Sequence, residues 1–408
     1  MKGMERRIGI IRERKVPVDR RVAMTPKAVR RAKGNHPDLD LVVERSPVRA
    51  FTDAEYEAAG VRLSDDMSDR DLLIGVKEVP VEDLIAGKTY LIFSHTIKKQ
   101  PHNRKLLQAV LKKGITLLDH ELLTDAKGER VLAFGHWAGV VGTYNALRGW
   151  NMLYGGPPLK PAEECHDLAE LKHEVKKLYT TTDLRIVITG AGRVGQGALE
   201  ILEVAGIHQV NTSDFLRGAP GPVFTIVGTS DLYARNDGAP FDKKAFYADP
   251  SGHQGTFLPF ARKASVYLAC HFWDPRGPKI LSTEDLRDTE LSLRVVADIS
   301  CDVGGPIDST VRASSIAAPF YGYDPHSGKE TEVAAPGSVL VMAVDNLPCA
   351  LPRDASEAFA QDLLDHVLPA LLGDGDEEMI ERATIVSHGK LSDRFEYLAD
   401  YASQPTGV

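Results

Sequence analysis

Residues 180–206 read TTTDLRIVITGAGRVGQGALEILEVAG. The run Ile186-Val187-Ile188-Thr189 has the length and β-branched character of a buried strand. It stops at Gly190-Ala191-Gly192-Arg193-Val194-Gly195, and Ala198, Leu199, Leu202 and Ala205 then recur at helical spacing. Strand, GxGxxG and helix in that order are the parts of a dinucleotide site. Gly190 permits the tight turn, Gly192 lets the backbone approach a pyrophosphate, and Gly195 lets helix and strand pack closely. The helix opened by Arg193 and Val194 offers free N–H groups and the positive end of its dipole to phosphates. Asp214 lies 19 residues beyond Gly195. It is expected at the end of the next strand, gripping the ribose hydroxyls, which favours NAD(H). Arg217, three residues on, would suit a 2′-phosphate and leaves NADP(H) open.

Working outward, apolar runs alternate with helical patterns on both sides. Strands are expected at Ile8–Ile11, Leu39–Val43, Leu72–Val76, Tyr90–Phe93 and Ile115–Leu118, then at Phe224–Val227, Val266–Ala269, Val295–Ile299 and Val339–Val344. Thr25 and Pro26 open a helix, and residues 138–153, 161–177, 355–372 and 379–401 read as helical. The expected fold is α/β, with two Rossmann-like domains built on parallel sheets and an active site in the interdomain cleft. Residues 139–352 form the expected dinucleotide-binding domain. Residues 1–138 plus 353–408 form a discontinuous substrate or catalytic domain.

The bulk numbers agree. A chain of 408 residues is too long for one ordinary core. With 43% hydrophobic and 26% charged residues it is globular, and a net charge of −8 argues against nucleic acid or an anionic membrane as partner. The four cysteines are far apart and form no CxxC, which suits the cytoplasm and offers no metal site. The N-terminal apolar run is too short for a signal peptide, and no stretch approaches a membrane span. A monomer or small homo-oligomer acting on small molecules is the expected state.

Charged residues follow several of the apolar strands, where side chains reach the crevice of an open sheet. Lys77 and Glu78 follow LLIGV, His95 follows YLIFS with Lys98 three residues on, and Glu121 follows ITLLDH, with Arg130 beyond it. Arg21 lies in the loop after the first strand. One such residue is what any strand shows on reaching solvent; lysine, histidine and glutamate at three ends of one sheet point to a site. Oxidising an amine by hydride transfer needs one base for the nitrogen's proton and another to activate water against the imine. Lysine serves only with a lowered pKa, whereas histidine already lies near the right range. Arginines would hold substrate carboxylates by paired hydrogen bonds.

The stretches VDRRVAMTP, LLIGVKEVP, YLIFSHTIKKQPHN and LLDHELLTDAKGERVLAFGHWAGVVG resemble the lysine-forming saccharopine dehydrogenases, above all the lysine–ketoglutarate reductase half of the bifunctional lysine-degrading enzyme. FWDPRGPKILST, ADISCDVGGPIDST and VMAVDNLPCALPRDAS extend the likeness from about residue 7 to residue 400. The resemblance implies reversible condensation of L-lysine with 2-oxoglutarate and reduction of the imine to saccharopine by NAD(P)H. It further implies that Lys77 handles the amine proton and His95 activates water, that Glu78 and Glu121 tune both, and that Arg21, Lys98 and Arg130 lie near substrate carboxylates. Asp302 matches an aspartate near the nicotinamide, and the loop containing Leu347 one that closes on it. An alanine dehydrogenase-like enzyme and a non-catalytic NAD(P)-binding protein are the alternatives. Ending at residue 408, the chain is expected to leave saccharopine to a separate enzyme.

Overall fold

The structure is a computed structural model describing residues 7–405. The chain divides into two compact units, Met1–Ala133 with Pro352–Val408, and Phe134–Leu351. The first unit contains β1 (Arg7–Ile10), β2 (Asp40–Glu44), β3 (Arg62–Ser64), β4 (Leu72–Ile74), β5 (Thr89–Ile92) and β6 (Thr116–Asp119). The second contains β7 (Arg185–Thr189), β8 (His208–Gln209), β9 (Val223–Val227), β10 (Tyr233–Arg235), β11 (His253–Gly255) and β12 (Val266–Ala269). It continues with β13 (Val295–Asp298), β14 (Phe320–Asp324), β15 (Lys329–Thr331) and β16 (Val339–Met342). The chain then returns to the first unit with β17 (Thr384–Ser387) and β18 (Lys390–Leu391).

The first sheet runs β18-β17-β6-β5-β4-β1-β2-β3. Its strands are parallel from β6 to β3, and β17 lies antiparallel on β6. β4 and β6 are buried throughout, as continuous apolar strands require when both faces of a parallel sheet are covered. Helix α1 (Pro26–Asn35) starts where expected: the Thr25 side chain accepts from the Ala28 N–H, and Pro26 occupies the first turn. Helices α2 (Asp53–Ala58) and α3 (Arg104–Lys112) also belong to this unit.

The second sheet runs β15-β14-β16-β13-β12-β7-β9-β8. It is parallel from β16 to β8, with β14 antiparallel to β16. Strand order reverses at β7, whose neighbours are β9 on one side and β12 on the other. Open α/β sheets bind ligands at such a switch point. Around the sheet lie α4 (Gly135–Tyr154), α5 (Leu168–Val175), α6 (Arg193–Val204) and α7 (Thr212–Arg217).

Some expected elements differ. Of residues 379–401, read as helical, the start lies in the helix Glu377–Ala383 and the end in the 3-10 turn Asp393–Leu398 and the helix Ala399–Ser403, but Thr384-Ile385-Val386 between them forms β17. Two β-branched neighbours behind a threonine suit a strand, here held between β18 and β6, better than a helix. The antiparallel strands β14 and β15 were not anticipated. Among the described residues no helix is long and apolar enough to cross a membrane.

Candidate active site

In the first unit β4, β5 and β6 are parallel neighbours, with Ile74 opposite Leu91 and Ile92 opposite Asp119. Lys77, Glu78, His95 and Glu121, each two to four residues past its strand, therefore come together at one edge of the sheet. His95 Nδ1 lies 3.6 Å from Glu78 Oε2, and Lys15 Nζ lies 3.1 Å from Glu78 Oε1. Burial pushes Glu78 up, but the nearby His95 imidazole, its own backbone N–H and Lys15 outweigh this and hold the carboxyl down at about 2. Glu78 is thus a fixed negative charge beside the imidazole. His95 has φ +53°, a left-handed conformation rare for a non-glycine residue and frequent at functional sites.

Burial lowers the pKa of Lys77 below the ordinary lysine value, and Arg21 and Lys15 lower it further against the opposing pull of Glu78 and Asp19. Its Nζ lies 5.8 Å from the centre of the Phe93 ring. An amine so placed is neutral more often near pH 7 than a solvated one and can act as a base. Lys98 Nζ lies 3.3 Å from Glu121 Oε2, and Arg130 Nη2 lies 2.7 Å from Glu121 Oε1. Glu121 thus gathers the two outer cations expected to meet substrate carboxylates. Arg21 is 1% exposed, and its Nε and Nη2 meet the two carboxylate oxygens of Asp19 at 3.0 and 2.6 Å.

Sequence reading missed the groups that hold this edge in shape. Glu13 accepts the backbone N–H groups of Val76 and Lys77 at 2.7 and 2.8 Å. Burial first, then Asp19, push its carboxyl up to about 7. Buried Asp119 accepts from the Ser94 N–H at 3.0 Å and the Glu121 N–H at 2.8 Å, tying the turns after β5 and β6 together. His120 Nε2 meets the Gly75 carbonyl at 2.8 Å. Glu13 gave no signal, because the run Arg12-Glu13-Arg14-Lys15 reads as a solvated charge cluster.

In the second unit the glycine loop has the expected geometry. Gly190 has φ +91°, and a Cβ there would stand 2.6 Å from the Cys270 carbonyl oxygen; one on Gly195 would stand 2.4 Å from the Gly190 carbonyl oxygen. Only glycine fits either place. Gly192 caps α6, and Arg193 and Val194 open it. These residues fit a dinucleotide's pyrophosphate.

Asp214 is not at a strand end. β8 stops at Gln209, and Asp214 lies in α7, three residues past its cap, Asn211. Its carboxylate accepts from Asn211 Nδ2 at 2.7 Å and is bonded to Arg217, so the two rival ribose and phosphate ligands are paired with each other. Counting from Gly195 assumed a longer strand, and Asn211 holds the position nearer the strand end. Asp302 follows Cys301, which has φ +54°, in the turn after β13. Burial and Asp298 push the Asp302 carboxyl up. Buried Asp298, another residue missed, holds this turn by accepting from the Cys301 N–H at 3.0 Å and Thr310 Oγ1 at 2.7 Å. Leu347 is buried, 1% exposed. Among the described residues no group of His, Cys, Asp and Glu is arranged to hold a metal.

The family model for the alanine dehydrogenase/PNT N-terminal domain matches residues 9–141. A solved L-alanine dehydrogenase aligns with a TM-score of 0.64 at 17% identity, covering 97% of this chain and 99% of that one. The fold is accordingly that of the alanine dehydrogenase-like α/β proteins. The saccharopine dehydrogenase [NAD(+), L-lysine-forming] of Neurospora crassa is 30% identical over 339 residues, covering 80% of this chain and 82% of its own. The mitochondrial alpha-aminoadipic semialdehyde synthase of Rattus norvegicus is 29% identical over 432 residues, covering 93% of this chain. The chain spans 46% of that rat protein's length. This chain belongs to the lysine-forming saccharopine dehydrogenase family.

Proposed function

We propose that the chain catalyses the NAD(P)H-dependent reductive condensation of L-lysine with 2-oxoglutarate to saccharopine, and its reversal. The observation that carries this reading is the grouping of Lys77, Glu78 and His95 at one sheet edge, with a lysine of lowered pKa and an ionised glutamate 3.6 Å from an imidazole. When bound at the glycine loop, the cofactor supplies or accepts the hydride.

In the oxidative direction neutral Lys77 takes the proton from the secondary amine nitrogen. His95 then removes a proton from water as its oxygen attacks the imine carbon, and Glu78 stabilises the imidazolium that forms. The same groups return these protons in reductive condensation. Lys98 and Arg130 bind substrate carboxylates, and Glu121 holds the two cations in place. Arg21, locked to Asp19, adds positive charge beside Lys77. Asp302 and Leu347 are assigned to the nicotinamide end of the cofactor.

The NAD(H) preference expected from the sequence rested on a carboxylate at the end of β8. With Asn211 near that point and Asp214 paired with Arg217, the ribose and phosphate ligands offset each other, and we propose that the chain accepts either NAD(H) or NADP(H). Four free cysteines agree with a reducing compartment, and we propose the cytoplasm. The test is oxidation of NADH and NADPH at 340 nm with L-lysine plus 2-oxoglutarate, against ammonia plus pyruvate. Lysine-dependent turnover is expected; turnover with ammonia and pyruvate alone would assign the alanine dehydrogenase reaction instead.

A further inference from the structure

Beside the glycine loop, three side chains outside the reaction just described form a line of hydrogen bonds. Tyr267 Oη lies 3.0 Å from Thr189 Oγ1, which lies 2.6 Å from His271 Nδ1. Tyr267 and Thr189 are fully buried. The directions of these bonds follow from counting protons. The phenol stays protonated in its apolar surroundings, and because its one hydrogen-bond partner among the described residues is Thr189 Oγ1, it donates there rather than leave its proton unpaired. Thr189, having accepted, donates its own proton to Nδ1. The imidazole is neutral, because burial brings its pKa down to about 4. With Nδ1 accepting, the ring proton sits on Nε2.

That Nε2 is buried and has no hydrogen-bond partner among the described residues. An unpaired buried donor is destabilising, and native proteins keep few of them. Its position suggests what it is kept for. His271 follows β12, the strand beside β7 at the point where strand order reverses. A Cβ on Gly190 would stand 2.9 Å from the His271 Cα, so the two backbones abut at the first glycine of the loop. The adenosine end of a dinucleotide belongs on the other side of β7, over β9 and β8.

We propose that His271 is a cofactor-binding residue whose Nε2–H donates to an oxygen of the dinucleotide's pyrophosphate or of the ribose on the nicotinamide side. This rests on the dinucleotide reading of the glycine loop. Thr189 and Tyr267 are positioning residues that fix the tautomer.

The experiment is titration of the full chain with NADH, NADPH, ADP-ribose and AMP, for the wild type, His271→Leu and His271→Gln. A neutral hydrogen bond corresponds to roughly a tenfold change in affinity. The dissociation constants of the preferred dinucleotide and of ADP-ribose are expected to rise about that much in H271L, with AMP unchanged. H271Q, which keeps an N–H, recovers most of the loss. Should H271L not fold, Thr189→Val is read instead; it frees the proton to sit on Nδ1 and is expected to weaken ADP-ribose but not AMP. Unchanged binding of dinucleotide and ADP-ribose in the variants, or an equal loss for AMP, overturns the assignment while leaving the glycine loop intact. A wild type that binds neither NADH nor NADPH overturns the dinucleotide reading itself.

Discussion

One carboxylate oxygen of Glu13 accepts the backbone N–H of Lys77 at 2.8 Å, while the other takes the N–H of Val76 at 2.7 Å. The turn carrying the proposed base is thus fixed by a side chain from a separate segment of the first unit. Glu13→Gln keeps one acceptor and sets an amide N–H against the second backbone N–H. Leaving one buried donor unpaired costs about 1–3 kcal/mol. The expected outcome is a fall in kcat with lysine of about tenfold or more, with NAD(P)H affinity unchanged. Steady-state kinetics beside a cofactor titration separates the two; equal losses in both would make Glu13 a general stability residue.

Lys77 owes its lowered pKa first to burial and then to Arg21 and Lys15. If it is the base for the amine proton, Lys77→Met removes the proton acceptor but leaves the glycine loop of the second unit untouched. General base catalysis contributes roughly 10²–10⁴-fold, and saccharopine oxidation is expected to fall by that order with cofactor binding intact. The acid limb of the wild-type rate profile, where Lys77 takes up its proton, lies below the ordinary lysine range and is expected to vanish in the variant. A variant that loses cofactor affinity instead would place Lys77 in the wrong role.

Both parallel sheets were legible because their strands are continuous apolar runs between helical patterns, and the glycine loop because its spacing is rigidly constrained by backbone approach. The edge group was legible as residue types at strand ends. What supports it was not. Glu13 hides in a charged run, Asp119 and His120 stand beside Glu121 at a strand end with nothing to separate their roles, and His271 belongs to no motif. Their roles depend on which backbone N–H or hydroxyl each one meets, and spacing along the chain carries no such information. Asp214 shows the opposite failure. A count that matches the expected ribose ligand lands one helical turn too late when the strand is only two residues long.

Cofactor choice can be tested at the end of β8. Asn211 caps α7, with its Oδ1 accepting the Asp214 N–H at 2.8 Å, and aspartate serves as well in that role. Asn211→Asp therefore retains the cap, exchanges the Nδ2 bond to Asp214 for a repulsion between carboxylates, and adds a negative charge near the strand end, where one grips ribose hydroxyls and repels a 2′-phosphate. The ratio of kcat/KM for NADH to that for NADPH is expected to rise about tenfold, from one charge-assisted hydrogen bond gained and one repulsion added. Asp214→Asn, whose carboxylate is already committed to Arg217 and Asn211, is expected to change the ratio less than about twofold. A large shift in the second variant and none in the first would return the ribose to Asp214.

His120 sits beneath the edge group with its ring buried against Phe93 and Phe359, at centroid distances of 4.9 and 5.1 Å. Its Nε2–H meets the Gly75 carbonyl at 2.8 Å, and burial holds its pKa at about 4, below the ordinary 6.5. A folded-state pKa below the unfolded value gives stability that is complete above pH 6.5 and is lost as pH falls through 4, because the unfolded chain takes up the proton first. The shift corresponds to roughly 3 kcal/mol across that window. His120→Gln keeps a donor for Gly75 and does not titrate. Calorimetric unfolding from pH 7 to pH 4.5 should therefore find the wild type losing its advantage over the variant as pH falls. The carboxylates paired in the folded state, Glu78 among them, are expected to add their own loss only below about pH 4.5 in both proteins. A gap between wild type and variant that stays constant across the window would mean that His120 takes up its proton as readily in the folded state as in the unfolded chain, and that the floor of the site is wet.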